Sequence, residues 1–378
     1  MTFIENPIYV LGVLCLMVML SIYAGKTQWG SKIGAALLVI LFTAVLANLG
    51  VIPSASNTIP LYGGIFHYVA PISIFYLLLG VNLKSIKKAG APMIILFLIG
   101  SLATVIGILV AWFLISPKEV LGDDANIIAG MLTGTYTGGS INFNAVALEY
   151  DFQEQGNLYA GTIAVDNVVT TIWIMVTLAF PALLRKFWKD KKVKQSTTSN
   201  HEMEDDKIDL NALMWLAFLG ISAFFLAELV KLILPNIPFM LTLSTIGILV
   251  AQIPFVSRLP GSHTLGLYLV YLFLAVIGAY CEVNAVLALK EIGITLLLFT
   301  SLAVFMHGIL IILFGSLAYL DWDMISVASQ ANVGGGPTAL AMAESFGRKE
   351  LVLPAILIGT LGNALGTYLG FLVVGVLA

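Results

Sequence analysis

Thr133-Gly134-Thr135-Tyr136-Thr137-Gly138-Gly139-Ser140-Ile141-Asn142-Phe143-Asn144 is a polar, glycine-rich stretch in an otherwise apolar chain. A second such stretch follows much later, as Ser329-Gln330-Ala331-Asn332-Val333-Gly334-Gly335-Gly336-Pro337-Thr338-Ala339. Each lies in the middle of a segment, 125–150 and 324–346, too interrupted to read as an ordinary membrane span. Either each segment crosses the membrane as a broken helix, or each enters and leaves on one side as a hairpin. That choice decides the fold.

The surroundings are those of a polytopic membrane protein. Of 378 residues, 59% are hydrophobic and 10% charged, and the mean hydropathy is +0.99. A soluble protein carries roughly 25% charged residues. Of the 18 basic and 21 acidic residues, 13 fall between positions 185 and 209, which read as a cytoplasmic charged linker. A net charge of −3 offers no basic face for nucleic acid. Cys15 and Cys281 lie in apolar runs without metal-ligand spacing. No basic stretch precedes the first apolar run, which is read as a retained anchor.

A span needs about 20 apolar residues. Ten stretches qualify, near 8–24, 33–49, 63–81, 93–115, 158–184, 211–234, 239–256, 265–282, 292–320 and 351–377. Basic residues in short loops mark the cytoplasmic side. With two hairpins and the N-terminus outside, 15 of the 18 Lys and Arg residues fall inside, leaving Lys118, Lys231 and Lys290. With two crossings instead, the linker flips outward and the asymmetry vanishes. Length agrees: the roughly ten residues before each Gly pair reach ~15 Å, half of a ~30 Å hydrocarbon core.

The expected fold is therefore all-α, with two inverted-topology repeats, 1–184 and 210–378, around the linker 185–209. Each repeat has five transmembrane helices and one re-entrant Gly-Gly helical hairpin. An odd number of crossings per repeat inverts the second, as in secondary transporters whose site lies between the repeats. Both termini are expected outside.

Ser is a favoured N-cap and Pro a favoured first helical residue, so Ser140 and Pro337 are expected to start helices near the midplane. A helix start offers unpaired N–H groups and partial positive charge, hence an anion site without Arg or Lys. The expected substrate-binding set is Thr137, Gly138, Gly139, Ser140, Asn142 and Asn144 from the first break. The second contributes Asn332, Gly335, Gly336, Pro337 and Thr338. In the spans that follow, Thr162, Asp166 and Thr170 share one face with Asn167 beside them, and Thr360, Asn363 and Thr367 form a similar stripe. A carboxylate at that depth costs at least ~2.5 kcal/mol, so Asp166 needs a cation, a proton or a partner. The expected coupling-ion set is Asp166, Asn167, Thr170, Gln330, Asn363 and Thr367, whose oxygens suit a hard cation such as Na+. Structural readings stand beside these: glycines that only permit close packing, and an Asp that only joins helices. His307 reads as a hydrogen-bonded packing residue, Glu228 and Lys231 as a local ion pair, and Arg348 as solvated charge at a hairpin base.

Thr137-Gly138-Gly139-Ser140-Ile141-Asn142 and Asn332-Val333-Gly334-Gly335-Gly336-Pro337-Thr338-Ala339 resemble motifs of the YjcL-like family of bacterial integral membrane proteins. That family is placed within the superfamily of glutamate:sodium and 2-hydroxycarboxylate (citrate:sodium) symporters. The resemblance covers essentially the whole chain. It implies a homodimer in the bacterial inner membrane, with a static scaffold and a mobile, hairpin-bearing core that moves as an elevator. Citrate-type relatives place arginine at the substrate, whereas Arg185, Arg258 and Arg348 here fall near the membrane interfaces, which argues against a tricarboxylate. A zwitterion, its carboxylate on the helix starts and its ammonium near Asp166, fits better.

The expected activity is sodium-coupled uptake of a small carboxylate-bearing solute, an amino acid or short peptide-like compound. A proton-coupled carrier is the runner-up. The chain is not expected to be an enzyme: an aspartyl intramembrane protease needs two facing carboxylates, and His307 has no recognisable nucleophile. A channel suits two hairpins from opposite faces less well than alternating access does. No cofactor is expected beyond the coupling ion, Na+ or H+.

Overall fold

Runs of Leu, Ile, Val, Ala and Phe with scarcely a charge become helices in lipid, because only intrasegment hydrogen bonds satisfy the backbone there. The computed structural model describes residues 3–28, 30, 35–189, 209–235, 237–281 and 290–378, all helix, turn or loop. Most of the linker 185–209 lies outside the described residues.

The first half contains α1 (Pro7–Gly25), α2 (Ala35–Asn48), α3 (Pro60–Leu78), α4 (Ala91–Ile115), α5 (Asp124–Gly138), α6 (Ser140–Glu149) and α7 (Gly156–Leu184). The second contains α8 (Leu210–Ile233), α9 (Phe239–Val250), α10 (Ser262–Tyr280), α11 (Lys290–Ala318), α12 (Trp322–Val333), α13 (Gly335–Ser345) and α14 (Lys349–Leu377). The same succession thus occurs twice: long, short, long, long, two half-length helices, long. Both halves end in a helix of 29 residues.

Among the described residues, eight helices are long and apolar enough to cross a membrane. The spans expected at 33–49 and 239–256 are shorter apolar helices of 14 and 12 residues. They extend roughly 21 and 18 Å. Gly50, at φ +71°, turns the chain after α2, and Pro254 lies in the turns after α9. Within α3, a π turn at Ile65–Val69 precedes Pro71. Such a turn accommodates a residue without an N–H inside a helix.

Packing does not follow chain order. The first three helices of each half pack on one another across the halves: α2 and α3 against α10, α3 against α9. The last four of each half form a second group, in which α4 runs along α11, α5 along α14 and α7 along α12. Contacts between the groups are fewer and run mainly through α6, α7 and α14.

Candidate functional site

Both polar breaks fold back on themselves. A Cβ added to Gly134 would lie 3.1 Å from Asn142 Cβ, and one on Gly130 would lie 3.4 Å from a Val146 methyl. α5 and α6 are therefore antiparallel about the Gly138-Gly139 turn. Gly139 has φ +103° and ψ 178°, a conformation comfortable only for glycine. The feet of this hairpin meet again where Gln155 Nε2 donates to Asp124 Oδ1 at 2.7 Å. In the second segment the chain turns through Gly334 and Gly335, the latter at φ +80°. Gln330 Nε2 donates across the turn to Thr338 Oγ1 at 3.1 Å, and Thr338 Oγ1 donates to Gly335 O at 3.0 Å.

The two turns meet inside the second helix group. A Cβ on Gly335 would lie 4.0 Å from both Gly138 O and Gly139 Cα. α14 supports both: a Cβ on Gly138 would lie 2.0 Å from the Gly362 carbonyl carbon, and one on Gly359 2.3 Å from Gly336 Cα. Helix starts from α6 and α13 are thus brought close together. The caps differ from expectation. Gly139 occupies the cap position and Ser140 is the first helical residue, because the positive φ of Gly139 already ends α5. α13 starts at Gly335, so Pro337 is its third residue, still within the turn whose N–H groups lack intrahelical acceptors. The positive φ in the second break belongs to Gly335 rather than Gly336.

The expected site residues divide into two kinds. Ser140 and Pro337 are exposed, and Gly139, Gly336, Thr338, Asp166, Asn167, Thr170 and Asn363 are partly exposed. The rest are buried and mostly engaged. Asn142 Oδ1 accepts from Thr367 N at 2.9 Å and Thr367 Oγ1 at 2.8 Å, while its Nδ2 donates to Gly362 O at 3.3 Å. Asn142 and Thr367 therefore join α6 to α14. Asn144 Oδ1 accepts from the Tyr159 hydroxyl, and Thr137 Oγ1 donates to Thr133 O. Gln330 Oε1 accepts from Thr177 Oγ1 at 3.2 Å. Asn332 Nδ2 donates to Ser101 Oγ at 3.0 Å and reaches Thr137 O at 3.5 Å, and its buried Oδ1 has no hydrogen-bond partner. Asp166 Oδ1 accepts from Thr170 Oγ1 at 3.2 Å. Gln330 and Thr367 make their contacts with other residues, away from this pair.

Sequence reasoning passed over Tyr136, whose buried hydroxyl lies beside Asp166 and Thr170. Its signal was its place within the quoted break, one turn from the first Gly pair and beside a half-buried Asp. Also missed were the partners of His307. Thr104 Oγ1 donates to Tyr136 O at 2.8 Å, so the Thr104 oxygen can only accept from His307 Nδ1, 3.0 Å away. Gly100 O also accepts from that nitrogen at 3.1 Å. Trp173 Nε1 donates to Ser329 Oγ at 3.1 Å, and Ser329 in turn donates to His307 Nε2 at 3.0 Å. This pattern specifies the neutral ring with its proton on Nδ1. Every partner is satisfied, consistent with a packing histidine joining α4, α5, α7, α11 and α12.

Two charge readings change. Lys231 Nζ lies 3.8 Å from Glu149 Oε1 rather than pairing with Glu228, because the foot of α6 packs beside α8 and α9. Arg348 is 5% exposed, not solvated. It bonds Asp321 at 3.1 and 3.2 Å, Asp323 at 3.0 Å, and Glu350, while Arg185 reaches Asp323 at 2.7 Å. The physical reason is that Asp321 caps α12 at Met324 N, which fixes a buried anion opposite the start of α14. Burial alone would lower the guanidinium pKa. Hydrogen bonds to Asp321 and Glu350 outweigh it and hold the group above the ordinary arginine value.

The family described as "Protein of unknown function (DUF819)" matches residues 12–378. The chain is also similar to the "Uncharacterized membrane protein YjcL" of Bacillus subtilis (strain 168), 30% identical over 369 residues that cover 91% of this chain and 90% of that protein. With described residues that are all helix, turn or loop and include eight helices fit to span a bilayer, this chain is a membrane protein and belongs to the DUF819 family.

Proposed function

We propose that this protein is an ion-coupled secondary symporter, driven by sodium, that takes up a small carboxylate-bearing solute such as an amino acid or short peptide-like compound. The observation that carries the reading is the meeting of the two glycine turns, with the first N–H groups of α6 and α13 beside each other and partly exposed. Helix starts are anion sites that need no cationic side chain. Irregular backbone at membrane depth is tolerated where it is buried in protein or lines a cavity. Asp166, half-buried on α7, supplies the negative charge for the coupling ion or for a substrate ammonium.

In this reading the two repeats have inverted topology and the two helix–Gly–helix segments are re-entrant hairpins. The pairing of their feet, Asp124 with Gln155 and Asp321 with Arg348, supports entry and exit on one side. The helix groups suit an elevator: α1–α3 with α8–α10 as scaffold, α4–α7 with α11–α14 as the moving core. A homodimer in the bacterial inner membrane, with both termini outside, completes the proposal.

Orientation is tested with cysteines at Asp123 and Gln155 in a background lacking Cys15 and Cys281. Both should react from outside with an impermeant thiol reagent, and a cysteine at Ser257 only after permeabilisation. Labelling of Asp123 and Gln155 from opposite sides would overturn the hairpin topology.

Function is tested by uptake of labelled amino acids and short peptides into proteoliposomes under an inward sodium gradient. Asp166→Asn should abolish accumulation above equilibrium while leaving the folded protein intact. Full sodium-driven accumulation by that variant would make Asp166 a packing residue. Accumulation that follows a proton gradient without sodium would establish the proton-coupled carrier instead.

A further inference from the structure

Tyr136 sits in the last turn of α5, just before the first glycine turn, and is 1% exposed. Its hydroxyl is the buried neighbour of the Asp166 carboxylate and of Thr170, both on α7, close enough to interact with each but not in the geometry of an ordinary hydrogen bond. Burying a hydroxyl without a partner is costly. Its neighbours nevertheless include an acceptor that already takes a bond from Thr170 Oγ1 at 3.2 Å. Thr170 has thereby committed its only hydrogen and keeps oxygen lone pairs to offer. The phenolic oxygen keeps its lone pairs as well, and the carboxylate adds a negative charge. Three oxygens from two helices therefore converge, and Asp166 and Thr170 are partly exposed. The His307 imidazole is held by Gly100, Thr104 and Ser329, which take up both of its nitrogens.

We infer that Tyr136, Asp166 and Thr170 form a monovalent-cation subsite in which the Tyr136 hydroxyl is a ligand, so that the bound cation ties the turn before Gly138 to α7. The inference deepens the symporter reading and rests on it. Oxygen-only ligation with one net negative charge suits either an alkali ion or the ammonium group of a zwitterionic substrate. Gln330 and Thr367 are no part of this subsite, since their side chains are engaged elsewhere.

The test uses the purified full-length protein and follows its thermal unfolding midpoint during titration with sodium chloride or methylammonium chloride. Choline chloride holds the ionic strength. The wild type should be stabilised saturably by one of these salts, and the effective salt identifies whether the cation is the ion or an ammonium group. Tyr136→Phe keeps the ring and loses only the oxygen. It should need roughly tenfold more cation or above for half the effect, in line with the loss of one group at a metal site. Thr170→Val should behave alike, and it carries the test if Tyr136→Phe does not fold. Asp166→Asn should not respond. A response of Tyr136→Phe identical to wild type, with Asp166→Asn unresponsive, overturns the Tyr136 ligand while leaving the symporter reading in place. An Asp166→Asn variant that responds as wild type overturns the subsite and makes Asp166 a packing residue, leaving the symporter reading in place, whereas a wild type indifferent to both cations overturns both.

Discussion

Gly138→Val should leave little folded protein in the membrane. A Cβ at this position would lie 2.0 Å from the Gly362 carbonyl carbon, 2.1 Å from its oxygen and 2.5 Å from its Cα. These are backbone atoms inside α14, so no rotamer change relieves the overlap, and the helices must separate. The same seam continues at Gly366 against Gly134 and Asn142, and at Gly370 against Gly130. Parting it therefore also disrupts the bonds of Asn142 to Thr367 and Gly362. Small residues give membrane helices their close contact, since burial from lipid supplies little attraction between them. Overpacking typically costs about 1–3 kcal/mol. A backbone overlap along a shared seam belongs at or above the top of that range, a large part of the ~5–15 kcal/mol that holds a domain together. Gly161→Val, on α7 with open space around it, is the control and should express as wild type. Gly139→Val meets no neighbour but must adopt φ +103°, so its cost is the strain alone, about 1–3 kcal/mol. The measurements are the yield of monodisperse protein and the thermal unfolding midpoint. A Gly138→Val variant as stable as wild type would mean that α14 does not rest on the first turn.

The sequence carried the features that local chemistry decides. Apolar runs gave the eight long helices, and the two glycine-rich breaks gave the turns at Gly139 and Gly335. What it did not carry depends on which distant helices touch. The two helix groups assemble across the halves, α2 with α10 and α4 with α11, and no periodicity in a single segment reveals a partner so far along the chain. Asn142 looked available for a ligand because its partner, Thr367, lies on α14. Tyr136 stood within the quoted break without a role, and only its position beside Asp166 makes its hydroxyl informative. Arg348 looked solvated because it lies at a hairpin base, while Asp321 and Asp323, which bury it, lie across the entire α12–α13 segment. That last case had a readable trace: Asp321 and Asp323 open the segment and Arg348 closes it, an opposite-charge pair at the two feet of a hairpin.

Those feet give the second large effect. Arg348→Ala removes the cation from a cluster in which Asp321 is fully buried and Asp323 nearly so. Asp323 keeps Arg185 at 2.7 Å. Asp321 keeps its bond from Met324 N but loses the two-pronged ion pair with the guanidinium that faced its charge. Breaking a buried pair from one side costs about 3–5 kcal/mol. The lower end applies here, because Arg185 and Glu350 are each about one-third exposed and water reaches that edge of the cluster. Arg348→Lys should recover only part of the loss, since an ammonium cannot bond both oxygens of Asp321 while also reaching Asp323. Asp321→Asn added to Arg348→Ala should be less harmful than Arg348→Ala alone. An amide oxygen still caps Met324 N, and the buried charge that Arg348 balanced is gone. This rescue separates electrostatics from lost packing, because the guanidinium stem is missing from both variants. Thermal midpoints of the four proteins measure it. Because Asp321, Arg348 and Arg185 sit at the ends of α12, α14 and α7, loosening the cluster should also free the foot of α12–α13. A double variant no more stable than Arg348→Ala would show that shape rather than charge holds that foot in place.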